Sequence, residues 1–202
     1  MKSARAFAVL PLLLTLALAA CAGAPPPTLY VLEAPAAPLA KAPAKAAPDG
    51  AAQRLVVALG PVTVPDYLDR TDIVRRTTGN QLAFDTDERW AEPLRSGLQR
   101  LLTAALADRL GPGYWVTAGS GRAARVDIEV PVDIEAFEEN AEGQAVLTAT
   151  WEVKASARTI RQRTRYHRAV ASGRAEDRVR ALSADAADLA ADLAAAILAQ
   201  GR

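Results

Sequence analysis

The residues whose types could support covalent or ionic chemistry are few: Cys21, His167, the Gly119-Ser120-Gly121 tripeptide and the Asp85-x-Asp87-Glu88 cluster. His167 is the only histidine and sits among Arg163, Arg165 and Arg168. A hydrolytic triad or a zinc site needs partners at matched positions, and the sequence offers none. Gly119-Ser120-Gly121 lacks the Gly-x-Ser-x-Gly frame of a nucleophile elbow, and no Gly-rich loop ends in Lys-Ser/Thr, so any ATPase that serves this chain is another protein. The Asp85 cluster has neither the central Gly nor the distal Glu of an EF-hand. Its acids are expected to favour the start of the following helix through the helix dipole. The chain therefore reads as no enzyme, with no metal and no cofactor, and the one reactive group left is the thiol of Cys21.

Cys21 stands at the end of an export signal. Lys2 and Arg5 precede an apolar run from Ala6 to Ala20, about 15 residues and too short for the ~20 that cross a bilayer. Residues 1–20 are thus a signal peptide. Leu18-Ala19-Ala20-Cys21 then places one large and two small apolar residues before a cysteine, a pattern that resembles the lipobox. Small residues let the peptidase close on the backbone, and the thiol accepts a diacylglyceryl group. Ala17-Leu18-Ala19 also fits ordinary secretory cleavage, which would leave Cys21 free. Lipidation is preferred because a lone cysteine in an exported chain can form no internal disulfide. Two or more acyl chains, palmitate among them, hold a protein on a bilayer durably where one does not.

The 182 residues after the signal suit one domain. Hydrophobic residues make up 50%, but aromatics only 5%, so the core must use a limited set of Leu, Val, Ile and Trp. A net charge of +1 exerts no overall pull toward nucleic acid or anionic headgroups, so partners are chosen by local surfaces. Residues 21–27 read as a lipidated tether of ~20 Å reach and 28–200 as the domain, with an Ala/Pro/Lys-rich stretch over 34–53 that is either a flexible loop or part of the tether.

Within the domain, Thr28–Glu33 and Leu55–Leu59 read as strands, the second ended by Gly60-Pro61 and followed by extended Val62–Pro65. Asp72–Thr77 and Gln81–Phe84 flank a Gly79-Asn80 hairpin turn. Leu94, Leu98, Leu101, Leu102, Ala105, Leu106 and Leu110 form a one-sided helical stripe, begun at Pro93 and stopped at Gly111-Pro112-Gly113. Tyr114–Thr117 is a short strand. Val126 to Ile134 alternate with Asp127 to Glu135, with Pro131 marking a sheet edge or a bulge. A hairpin at Asn140–Gly143 leads to Ala145, Leu147, Ala149, Trp151 and Val153, and Arg158–Val170 is an arginine-rich strand. A last helix is expected from about Ser183 to Gln200, with Asp185, Asp188 and Asp192 toward solvent. The fold class is α+β, a single domain with a mostly antiparallel or mixed sheet and two helices on one face.

Several segments in this order carry a family resemblance: Leu59-Gly60-Pro61-Val62, Pro65-Asp66-Tyr67-Leu68-Asp69-Arg70, Ile73-Val74-Arg75-Arg76, Glu88-Arg89-Trp90-Ala91-Glu92-Pro93-Leu94 and Leu147-Thr148-Ala149-Thr150-Trp151. Behind a lipobox, they resemble the auxiliary lipoproteins of ABC-type transport systems, the paraquat-inducible protein C-like family. The resemblance runs from about Tyr30 to Ile197. It implies an outer-membrane lipoprotein on the periplasmic face, a reading in keeping with Ala22 rather than Asp after the cysteine. It also implies a periplasm-spanning MCE-domain partner, lipid transport, envelope integrity and homo-oligomers. The rival reading is an outer-membrane assembly or structural lipoprotein acting with a different envelope complex.

Two features invite a partner. A Tyr-Leu pair after Pro65, in a connection with no evident core register, is expected to dock on one, so Tyr67 and Leu68, with Arg75, are the candidate partner-binding residues. Asp127, Glu129, Asp133, Glu135, Glu138, Glu139 and Glu142 form an acidic tract opposite Arg158, Arg161, Arg163, Arg165 and Arg168. These tracts either pair across the sheet as solvated ions or bind between molecules. Trp90 and Trp151 are expected in the core.

Overall fold

The computed structural model describes residues 26–34, 54–119 and 125–200. Cys21, the export signal, residues 35–53 and Ser120 lie outside the described residues. The elements are β1 (Thr28–Tyr30), β2 (Leu55–Thr63), β3 (Asp72–Arg76), β4 (Leu82–Trp90), α1 (Leu94–Leu110), β5 (Tyr114–Ala118), β6 (Ile128–Glu139), β7 (Gln144–Ala155), β8 (Thr159–Ala169) and α2 (Ala175–Gln200). They form an α+β domain with one mixed eight-stranded sheet and two helices.

Period-two alternation decides the centre of the sheet. Ile128, Val130, Val132 and Ile134 on β6, and Ala145, Leu147, Ala149, Trp151 and Val153 on β7, are all buried; α2 packs on β6, β7 and β8, and α1 on β2 and β5. Each large side chain fully buried there contributes roughly 1.5–3 kcal/mol. Trp90 and Trp151 are in the core as expected, and Trp90 lies at 6.3 Å, tilted, from Phe137.

β6 is the hub. β7 lies antiparallel along it from Ile128 to Glu139, so its other edge must serve two strands. β2 runs parallel to the first part, ending at Thr63 opposite Asp133, and β3 meets the far end, Arg75 opposite Glu139. β5 adds to β2 in parallel, β4 to β3 in antiparallel and β1 to β4 in parallel, while β8 follows β7 and closes that side.

β2 does not end at Gly60-Pro61 but passes through it as one strand, with a register shift against β6 between Leu59 and Val62. Gly60 has φ +134°, and a Cβ there would meet Gln99 Nε2 at 3.3 Å, so glycine is what fits. Pro131 faces that same irregularity, which makes it a bulge proline in an interior strand rather than an edge marker.

Three expectations are corrected. Asp85, Asp87 and Glu88 belong to β4, and the first turn of α1 holds no acid, because the hairpin strand continues to Trp90 instead of stopping at Phe84. α2 starts at Ala175, eight residues earlier than expected, since Ala175, Val179 and Leu182 extend the buried stripe beneath a charged first turn. Asp185 does not face solvent: it is fully buried, because α2 buries more than one side, between the sheet and α1.

Candidate interaction surface

The connection over residues 64–71 fills the gap on the edge of β6 between β2 and β3. Leu68 N donates to Pro65 O at 2.9 Å and Asp69 N to the same oxygen at 3.2 Å, which curls the chain. That curl points Leu68 inward: it is 1% exposed and part of the core. Leu68 is therefore corrected from docking residue to packing residue. Its burial was invisible in the sequence because a curled connection has no strand or helix period from which an inward position can be read. Tyr67 is half-buried beside Glu138, and burial together with that carboxylate pushes its hydroxyl up to about 12. Arg76 reaches the same Glu138 at 2.6 Å, and this hydrogen bond raises the arginine's pKa further.

Next to this lies a buried ionic cluster. Arg178 of α2, only 3% exposed, meets Glu139 at 2.5 Å, Asp85 at 3.0 Å and Glu88 at 3.9 Å. Arg75 reaches the same Asp85 at 3.2 Å and remains 38% exposed. Strands β4 and β6 and the start of α2 are thus fastened by one guanidinium. The fork of an arginine can serve several carboxylates at once where a lysine cannot. Sequence reading overlooked Arg178; the clue was a charge on the buried stripe of a helix.

On the rim of this corner, Arg70 lies over the ring of Phe84 at 4.1 Å, and Phe84 is 39% exposed. Arg70 also holds Asp72 at 2.6 Å, and Arg95 of α1 holds Asp69 at 2.5 Å. Tyr67, Arg70 and Phe84 thus lie on the side of β3 and β4 away from the helices, two aromatics and an arginine, a composition favoured at interfaces. Of the three candidates read from the sequence, the structure leaves Tyr67 at this face, takes Leu68 into the core and turns Arg75 to the helix-covered side of the sheet, beside Asp85 and opposite Glu139. A second exposed aromatic, Trp115 on the edge strand β5, is 51% exposed. Its outward aim follows from the inward pair Tyr114 and Val116, an alternation legible in the sequence.

The charged tracts divide their pairing. Arg163 reaches across β7 to Glu135, bidentate at 2.6 and 2.9 Å, and this holds the Glu135 carboxyl below its usual range. Arg168 instead turns to α2, where it binds Asp185 at 2.6 Å and also Asp188. Burial pushes the Asp185 carboxyl up despite that partner, and its Oδ2 has no hydrogen bond. Tyr166 donates to Asp192 at 2.5 Å and is likewise raised by burial.

As for chemistry, among the described residues no group of three His, Cys, Asp or Glu side chains is placed to hold a metal, and no helix is long and apolar enough to cross a membrane. A groove of about 480 Å³ beside α1 is lined by Arg95, Ser96, Gln99, Arg100, Thr103 and Ala118.

A family model described as the ABC-type transport auxiliary lipoprotein component matches residues 30–194. The chain belongs to that family. It is similar to the intermembrane transport lipoprotein PqiC of Escherichia coli (strain K12) and of Shigella flexneri, at 31% identity over 90 residues in each. The matched region spans about half of each: 45% of this chain and 46% of the relative. Among solved structures, an uncharacterized protein superposes with a TM-score of 0.69 at 22% identity, covering 86% of this chain and 99% of the other. A Xanthomonas campestris protein gives 0.57 at 18% identity, covering 84% and 91%. These two likenesses establish a shared fold and nothing more. The auxiliary lipoprotein identity rests on the family match, which extends from β1 into the last turns of α2.

Proposed function

We propose that this auxiliary lipoprotein is a non-enzymatic subunit anchored by lipid on Cys21 to the periplasmic face of the outer membrane. There it docks on an MCE-domain protein that bridges the periplasm, as part of an ABC-type system that moves lipids between the two membranes and maintains envelope integrity. The carrying observation is the family match over residues 30–194 behind a signal that ends in Leu18-Ala19-Ala20-Cys21. The name of the Escherichia coli relative, an intermembrane transport lipoprotein, agrees with this reading. The covalent lipid is the only prosthetic group it requires. Homo-oligomerisation on the bridging partner belongs to the same proposal, with Tyr67, Arg70 and Phe84 as the docking face.

Affinity purification of the tagged full-length lipoprotein from gently solubilised envelopes tests it, with the bound proteins identified by mass spectrometry. Recovery of an MCE-domain protein, reduced by Tyr67→Ala with Arg70→Ala, is the expected result. Reproducible recovery of a different envelope complex would overturn the transport role and favour an assembly or structural lipoprotein. Incorporation of radiolabelled palmitate into the wild type and not into Cys21→Ala tests the anchor separately.

A further inference from the structure

The arginines of β8 remain unused by the docking face. Residues 158–170 contain five arginines, one histidine and no carboxylate. Alternation sends Tyr166 and Arg168 toward α2, so Arg161, Arg163, Arg165 and His167 stand on the opposite, open face of the sheet. Successive members are about 7 Å apart, a row of about 20 Å. Arg161 is 71% and Arg163 66% exposed, and Arg165 and His167 are exposed too. Only Arg163 is firmly neutralised, by Glu135; Arg161 touches Glu152 at a loose 3.6 Å, and Arg158 and Arg165 pair with no carboxylate among the described residues. β8 pairs with β7 alone, which leaves its second edge of backbone N–H groups available as further donors.

We propose that this open face of β8 is a contact site for anionic phospholipid headgroups, with Arg161 and Arg165 as the phosphate ligands on either side of Arg163, which the bound headgroups shield. Guanidinium forks match phosphate oxygens two at a time. A row of separate cations suits a fluid surface whose charges can move to meet them. A specific protein partner fits less well, because the exposed large hydrophobic residues, Leu29, Val31, Leu55, Phe84, Trp115 and Leu198, include none on β7 or β8 to serve as a buried anchor. Pairing of β8 with a second β8 would set arginine against arginine. The proposal rests on the lipid-anchor reading, which keeps the domain beside a bilayer.

The test uses the mature lipoprotein carried by its own lipid in two kinds of vesicle, phosphatidylcholine alone and phosphatidylcholine mixed with phosphatidylglycerol. Arginines are labelled with phenylglyoxal and read by peptide mass spectrometry, with Arg95 and Arg100 of α1 as internal references. Labelling of Arg161, Arg163 and Arg165 is expected to fall about fivefold in the anionic vesicles, and high salt should restore it. In Arg161→Gln/Arg165→Gln, which touches no buried pair and keeps Arg163 on Glu135, the protection of Arg163 should be lost while the melting temperature holds. Equal labelling in both vesicles overturns the proposal. If the double variant instead sheds a bound acidic protein while labelling stays equal, the strip is a protein site and the lipid proposal falls. A chain that floats with neither vesicle overturns the anchor as well, whereas one that floats with both yet labels alike overturns this proposal alone.

Discussion

Replacing Leu68 by alanine separates packing from docking at the corner where β2, β3 and β6 meet. The side chain is 1% exposed, so the substitution removes an isopropyl group from the core. Buried Leu→Ala changes cost about 2–5 kcal/mol, the spread reflecting how far the site collapses. The curl over residues 65–69 is fixed by two backbone hydrogen bonds to Pro65 O, which limits collapse, and a cost of about 3 kcal/mol follows. For a domain of this size each kcal/mol lowers the melting temperature by about 2–4 °C, so a fall of about 6–12 °C is expected. Circular dichroism on the purified chain reads it directly. A fall under about 2 °C would show that Leu68 is free to leave its site, and the assignment of this residue to the core would be refuted. Tyr67→Ala, by contrast, acts on a half-buried ring and should weaken partner capture out of proportion to its smaller effect on melting.

Other outcomes follow from the ion pairs. Arg178→Met leaves Asp85 and Glu139 without their buried cation and should cost about 3–5 kcal/mol, seen as a large fall in melting temperature; Arg178→Lys should recover only part of it. Burial holds the folded pKa of Asp185 above its ordinary value of 3.8, so the folded state holds that proton more tightly than the unfolded chain. Its contribution is therefore fully present below about pH 3.8 and is lost as pH rises through the folded value. Measured by urea unfolding against Asp185→Asn, the wild type should lose ground as pH increases over that window, and a constant difference would contradict the buried-carboxylate account. Arg163→Gln should let the Glu135 carboxyl rise toward its ordinary range in an NMR titration, with little change in melting because the pair is exposed.

Periodic burial was readable in the sequence and long-range neighbours were not. The alternation from Ile128 to Ile134 and from Ala145 to Val153, and the leucine stripe of α1, mark one apolar face each, and those elements appear where the pattern puts them. Sequence spacing says nothing about which strands lie side by side. The parallel pairing of β2 with both β5 and β6 could not be derived, nor could the curl at Pro65 that turns Leu68 into the core. Asp185 was misjudged for a related reason: in an alanine-rich helix the solvent face is inferred from where the acids are, and that inference fails when a helix is packed on two sides. At the candidate surface, Tyr67 was found because a tyrosine in a connection is conspicuous. Phe84 was hidden in an ordinary strand pattern, since its exposure comes from standing at the outer face of β4 under Arg70.

The shared edge of β6 also sets a timetable. A chain delivered N-terminus first brings out β2 long before its partners: Val57 must wait for Val116 and Ile128, and Thr63 for Asp133, about seventy residues behind it. The β3–β4 hairpin and the β6–β7–β8 meander can close as soon as they emerge, but they cannot be joined until β6 is complete. The two halves of the sheet therefore wait on one strand, and sequence changes that delay β6 would lengthen the interval in which they stand apart without altering the folded product.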